Sequence, residues 1–161
     1  MIRYFFIFLF FISCSNEDRS AYTPNEIVFS GDALLMLKSI NESRKLIGVD
    51  TLVPERRMTY IAERYSLFMD STGYFSHSGF YDRQTESECY SFGECLSYNY
   101  TVASSFEAYV LSKSHSQTLT NPRYTHIGYG RSGKYECVLL GGYDIYKSKQ
   151  EIDTITVKFK K

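Results

Sequence analysis

The chain has 161 residues, 43% of them hydrophobic and 22% charged, a size and composition that fit one globular domain, exclude disorder for most of the chain and argue against a two-domain enzyme. Eighteen Lys and Arg balance eighteen Asp and Glu, so no net field draws polyanions, and nucleic acid is excluded as a partner class. The unusual component is aromatic: 15 Tyr and 12 Phe with no Trp, side chains that suit strands, grooves and wet interfaces.

Met1, Ile2 and Arg3 lead into an apolar run over 4–12, too short to span a membrane and the right length for a secretory leader. It ends in Phe11-Ile12-Ser13-Cys14, which resembles a bacterial lipoprotein leader, in which a small residue precedes a cysteine that is lipidated and becomes the new N-terminus. Phe11 stands where such leaders usually have Leu. The reading is a signal peptide over 1–13, a lipid on Cys14 as membrane anchor, a flexible polar tether over 14–26, a domain over 27–146 and a C-terminal extension over 147–161. Removing the leader leaves about 148 residues. With Cys14 lipidated, Cys89, Cys95 and Cys137 remain; an odd number allows at most one disulfide, and its pairing stays open.

Apolar positions Ala33, Leu37, Ile40 and Ile47 recur at helical spacing, which predicts a helix over 32–47 stopped by Gly48. Pro54 suits a first helical position, and Met58, Ile61, Ala62, Tyr65, Phe68 and Met69 form one face of a second helix that ends at Gly73. Residues 78–91 are polar and aperiodic and read as a loop. A third helix is expected over 103–112, followed by a short turn within 116–121. After Pro122 the period changes to two, giving strands over 124–130 and 135–143 joined at Arg131-Ser132-Gly133-Lys134. Ile155, Val157 and Phe159 alternate with polar residues and predict one more strand in the extension. Helices first and antiparallel strands later make the fold class α+β.

The three histidines are His77, His115 and His126, none of them four residues from another, and no Cys-x-x-Cys pair, phosphate-binding glycine loop or nucleophile elbow is present. On spacing alone His77 can cap a helix end, Glu94 can accept hydrogen bonds in a loop, and His126 reads as a strand-surface histidine.

Taken together, Leu52-Val53-Pro54-Glu55, Gly73-Tyr74-Phe75-Ser76-His77, Gly93-Glu94-Cys95, Tyr109 through His115 and Asn121 through Gly130 resemble, in order and spacing, the CAP superfamily. This is the SCP-like or pathogenesis-related-1-like domain, here in its bacterial extracytoplasmic branch, and the resemblance covers about residues 34–144. It implies a three-layer α-β-α sandwich with a central antiparallel sheet and a cleft of two histidines and acids. His77 matches the histidine of the family's phenylalanine-serine-histidine segment, Glu94 the acid of its glycine-glutamate-asparagine segment, and His115 the second histidine. The resemblance further implies Zn²⁺ or another divalent metal held weakly by His77 and His115, with Glu94 near enough to orient a bound water or take its proton. The chain departs from the pattern at Cys95 in place of asparagine, Tyr109 in place of tryptophan, Lys113-Ser114 in place of proline-glycine and Ser116 in place of arginine. The second acid of relatives falls near Ser112, and Glu107 lies more than a turn earlier.

The expected protein is thus an extracytoplasmic, lipid-anchored, monomeric binding or interaction module whose loops contact a lipid, peptide or glycan. One alternative is a metal-dependent hydrolase using Glu94 as general base. Another is a structural surface domain whose cleft is closed by a disulfide from Cys95 to Cys89 or Cys137. Among the aromatic residues, Tyr74, Phe75, Phe92, Tyr98, Tyr109, Tyr124, Tyr129 and Tyr135 fall at motif positions, and a subset of them is expected to wall the cleft.

Overall fold

The computed structural model describes residues 24–143. The leader, Cys14, nearly all of the tether and the extension with its alternating stretch lie outside the described residues. In chain order the elements are α1 (Gly31–Leu46), β1 (Val53–Pro54), α2 (Arg56–Thr72), α3 (Phe80–Ser87), β2 (Ser91–Tyr98), α4 (Val102–Leu111), α5 (Lys113–Leu119), β3 (His126–Ser132) and β4 (Tyr135–Gly142). The sheet order is β1-β3-β4-β2, with β1 parallel to β3 and the remaining pairs antiparallel.

Side chains alternate across a strand, so the register divides the sheet into two faces. One face carries Phe92, Leu96, Tyr135, Cys137 and Leu139, and buries Met58, Ile61, Ala62, Tyr65 and Met69 of α2. The other carries Cys95, Ile127, Tyr129, Val138 and Leu140, and packs against Met36 and Ile40 of α1, Val102 and Tyr109 of α4 and Leu119 of α5. The result is the expected α-β-α sandwich. Full burial of Met58, Ile61 and Met69 contributes roughly 2 kcal/mol each. Gly128 lets α2 lie directly on β3: a Cβ there would sit 2.5 Å from the Thr59 backbone nitrogen.

Four local expectations need correction. Pro54 does not open α2; it sits in β1, where the Val53 N–H donates to Thr125 (3.0 Å) and the Glu55 N–H to Ile127 (2.9 Å), a strand edge on which proline's missing donor costs nothing. Glu55 caps α2 instead, its carboxylate accepting from the Met58 N–H at 2.7 Å. Residues 78–91 are not one loop, because α3 occupies most of them; its buried side chains are Arg83 and Ser87, so no apolar period marks it. Residues 92–98 lie in β2, which is buried along six consecutive positions, and this hides the period of two. Finally, the turn expected after α4 is a two-turn helix, α5, that starts earlier, at Lys113.

Cys89, Cys95 and Cys137 are all buried free thiols, so none of the disulfides left open by the sequence forms among the described residues. Cys95 and Cys137 point to opposite faces of the sheet, which forbids that pair, and the closed-cleft reading loses its basis.

Candidate functional site

Three elements meet at the edge strand β2. Glu94 lies on β2, on the α2 face of the sheet, with its side chain fully buried. His77 comes from the loop between α2 and α3. That loop opens at Gly73, whose left-handed φ of 70° ends α2, and is held by the Tyr65 hydroxyl, which donates to the carbonyls of Ser76 and, at 3.2 Å, Ser78. His115 comes from α5, on the opposite face. Gly93 permits that approach: a Cβ on it would meet the Thr118 side chain and the Tyr124 hydroxyl at 2.8 Å. The far end of α5 is tied down by the buried Arg44, which donates to the carbonyls of Leu119 (2.8 Å), Asn121 (3.0 Å) and Tyr124 (2.8 Å).

The structure brings His77 and Glu94 into direct contact, with His77 Nδ1 2.8 Å from Glu94 Oε1. A carboxylate only accepts, so Nδ1–H is the donor and Nε2 is the ring nitrogen left for other chemistry. The His77 side chain is 54% exposed, so that nitrogen belongs to a solvent-facing ring. His115 rests against the Tyr109 ring, with centroids 5.2 Å apart. Burial, and secondarily the charge of nearby His77, lowers the pKa of His115 below the usual imidazole value, which favours its neutral form.

Sequence reasoning missed Arg83, the residue that defines the site. From α3 its Nε donates to Glu94 Oε2 at 2.6 Å and its Nη2 to Oε1 at 2.8 Å, a two-pronged pair with the Arg83 side chain only 7% exposed. Nη1 donates to the Ser78 carbonyl at 2.8 Å, and the guanidinium lies 3.5 Å over the Tyr65 ring. Burial is the largest single influence and opposes the Arg83 charge, but the hydrogen bonds to Glu94 and the negative charge of Glu94 together outweigh it, so its pKa stands above the usual arginine value. Two signals could have pointed to it: Phe80, Arg83 and Ser87 recur at helical spacing, and a carboxylate in a buried strand requires a cation nearby.

Other expected residues fall elsewhere. Glu107 is exposed on α4, and Ser112, where relatives carry an acid, contacts the Ser114 hydroxyl at 3.2 Å. His126 starts β3 half-buried, 2.8 Å from the Thr125 hydroxyl and edge-on to Tyr143. Phe75 and Tyr98 form a half-exposed aromatic pair (6.0 Å) beside the His77 loop, over the better-buried Tyr135. Phe92, Tyr124 and Tyr129 belong to the core rather than the cleft wall. A second buried carboxylate, Glu136 on β4, accepts from Tyr129 (2.8 Å), Ser97 (3.1 Å) and Tyr109 (3.2 Å), which fixes the ring that braces His115.

Among the described residues no group of three or more His, Cys, Asp and Glu is arranged to hold a metal ion. Glu94 lies behind His77 on the Nδ1 side of the ring, where it orients the imidazole and is not placed to be a ligand of anything bound at Nε2. Among the described residues no helix is long and apolar enough to cross a membrane.

Residues 37–139, more than half of the chain, match the model of the CAP, cysteine-rich secretory protein family. No curated protein matches the chain. Among solved structures it is similar to an outer surface protein from Borrelia burgdorferi, with 20% identity and a TM-score of 0.67 over 76% of this chain and 100% of that one. It is also similar to an extracellular protein containing a SCP domain from Bacillus anthracis, with 19% identity and a TM-score of 0.66 over 70% of this chain and 40% of that one. A cysteine-rich secretory protein from Staphylococcus aureus aligns at 18% identity with a TM-score of 0.60, over 68% of this chain and 38% of that one. The chain thus spans about two fifths of the length of the Bacillus and Staphylococcus proteins. With the family pattern matched from α1 to β4 and the fold shared with these three proteins, the chain belongs to the CAP, cysteine-rich secretory protein family.

Proposed function

We propose that the protein is an extracytoplasmic binding module, anchored through a lipid on Cys14, whose cleft takes a divalent metal weakly between His77 and His115 and uses it to engage a lipid, peptide or glycan. The leader pattern around Cys14 supports the anchor, and the extracellular and outer-surface descriptions of two structural neighbours support the compartment. The observation that carries the reading is the direct contact between His77 and the buried Glu94. Glu94 fixes the tautomer and direction of the His77 ring, Tyr109 braces His115, and the lowered pKa of His115 keeps its nitrogen available to a cation. A bound divalent ion supplies a Lewis-acidic contact for a carbonyl, carboxylate or phosphate oxygen of the ligand.

The geometry favours binding over hydrolysis. A general base needs an oxygen within reach of the proton it removes, and both oxygens of Glu94 are already held, by Arg83 and His77. Calorimetric zinc titration of the wild type, His77→Ala and His115→Ala tests the metal reading. Heat from the wild type that disappears in both variants is expected, and equal heats in all three would remove the histidines as ligands.

A further inference from the structure

β2 is the last strand on its side of the sheet, and its register fixes which of its main-chain groups face outward. The Asn99 N–H donates to the Lys134 carbonyl at 2.7 Å, so the odd-numbered residues of the strand face β4. Glu94, Leu96 and Tyr98 therefore turn their N–H and C=O groups to the outer edge. The Phe92 carbonyl faces the same way and is taken by the Tyr124 hydroxyl at 3.0 Å. Among the described residues the outward main-chain groups of Glu94, Leu96 and Tyr98 meet no hydrogen-bond partner. Glu94 is 7% exposed as a residue and 0% in its side chain, so what stays accessible is its main chain, recessed beside His77.

An edge strand of this kind needs protection, because its open amide row pairs with any extended chain that reaches it. β2 runs over eight residues with no Pro and no Lys, and the burial of its six central positions limits what water can satisfy. At the opposite edge the chain supplies the cover itself. There the Ile27 N–H donates to the Pro54 carbonyl at 3.2 Å and the Arg56 N–H to the Asn25 carbonyl at 2.9 Å, which lays residues 25–27 along β1.

The sequence also holds a strand-like stretch with no assigned partner. Ile155, Val157 and Phe159 alternate with Thr154, Thr156, Lys158 and Lys160, in the extension outside the described residues. β4 ends at Gly142, opposite Ser91 at the start of β2. From that point the outer edge of β2 lies two strand spacings away, about 10 Å. The stretch 144–153 reaches about 33 Å when extended, ample for the passage. A strand entering at that end runs parallel to β2 and antiparallel to β4. Phe75 and Tyr98, 46% and 44% exposed, form an apolar seat on the α2 side of this edge that no described element covers.

We propose that residues 154–160 add to the outer edge of β2 as a fifth strand, parallel to it, with Ile155, Val157 and Phe159 on the side of Phe75 and Tyr98. The chain's own tail then occupies the main-chain edge of the cleft, and an extended peptide that reads the same groups has to displace it. The inference goes beyond the metal reading and uses no metal.

The test is amide hydrogen exchange followed by nuclear magnetic resonance on the full chain, as wild type, Val157→Asp and Thr156→Pro/Val157→Pro. The paired prolines remove a donor whichever of the two residues faces β2. In the wild type the Glu94, Leu96 and Tyr98 amides are expected to exchange about tenfold or more slowly than in either variant, while the Gly93, Cys95 and Ser97 amides, which face β4, keep their rates. Equal rates for Glu94, Leu96 and Tyr98 in all three proteins overturn the proposal. Protection that is lost on dilution of the wild type assigns the edge to a second copy and overturns it as well. If the variants do not fold, nuclear Overhauser contacts in the wild type decide: contacts between residues 155–159 and the Glu94, Leu96 and Tyr98 amides support the added strand, and their absence overturns it.

Discussion

Replacing Arg83 by Met keeps the apolar stem of the side chain and leaves Glu94, with a fully buried side chain, facing the His77 donor alone. Breaking a buried ion pair from one side costs about 3 to 5 kcal/mol, because the desolvation of the remaining charge is no longer offset. The wild-type pair has both features that make such losses large: two direct bonds at 2.6 and 2.8 Å and burial of both partners. Glu94→Gln leaves the guanidinium in the same difficulty and should cost a similar amount, so each single variant loses a sizeable fraction of a typical domain's 5–15 kcal/mol, on the order of a third. The double variant removes both charges, and its loss should resemble one single change rather than the sum of two, giving a coupling about as large as one single loss, roughly 3 kcal/mol or more. Urea unfolding of the four proteins, followed by far-ultraviolet circular dichroism at constant slope, measures this cycle. Losses that add within about 0.5 kcal/mol would show that Arg83 and Glu94 contribute independently and are not a coupled buried pair.

The direct seating of α2 on β3 predicts that Gly128→Ala is strongly destabilising. Its Cβ would overlap helix backbone rather than a flexible side chain, and a loss of about 2 kcal/mol or more in urea is expected, whereas wild-type stability would contradict that packing. The buried thiols predict that Cys89, Cys95 and Cys137 resist a thiol-reactive dye at pH 8 in the folded protein and all react in guanidinium; a bridge would leave two of them silent. Burial also pushes the Cys137 thiol well above its ordinary value of 9.0. The folded chain therefore keeps a proton that the unfolded chain releases, and the associated stability is complete below about pH 9 and is lost as pH rises beyond it. Unfolding midpoints measured from pH 8 to 10.5 should fall, and a Cys137→Ala variant should show a shallower decline.

The elements whose buried face is apolar were legible in the sequence. Met58, Ile61, Ala62, Tyr65 and Met69 announce α2 because the sheet takes that stripe, and Gly73 ends it in a left-handed conformation. β4 and most of β3 could be read from their period of two, although β4 is buried on both faces. What was hidden is what the site uses. α3 turns Arg83 and Ser87 inward, so its buried stripe looks polar, and β2 places Glu94 on one face and Cys95 and Ser97 on the other, so neither period survives. His77, Glu94 and His115 emerged only through the family pattern, since isolated histidines and a lone carboxylate carry no spacing signal. Arg83 lay outside that pattern, and only the demand of a buried carboxylate for a cation identifies it.

The proposed function turns on a divalent ion held between His77 and His115. A crystal of residues 24–161 grown with zinc, with anomalous scattering recorded at the zinc edge, tests it most directly. The expected result is a partly occupied zinc at roughly 2.0–2.1 Å from Nε2 of His77 and from one His115 ring nitrogen, its remaining positions filled by water, and Glu94 still paired with Arg83. An ordered cleft with no anomalous peak between the two histidines, or a zinc bound directly by Glu94 in the presence of Arg83, would contradict it.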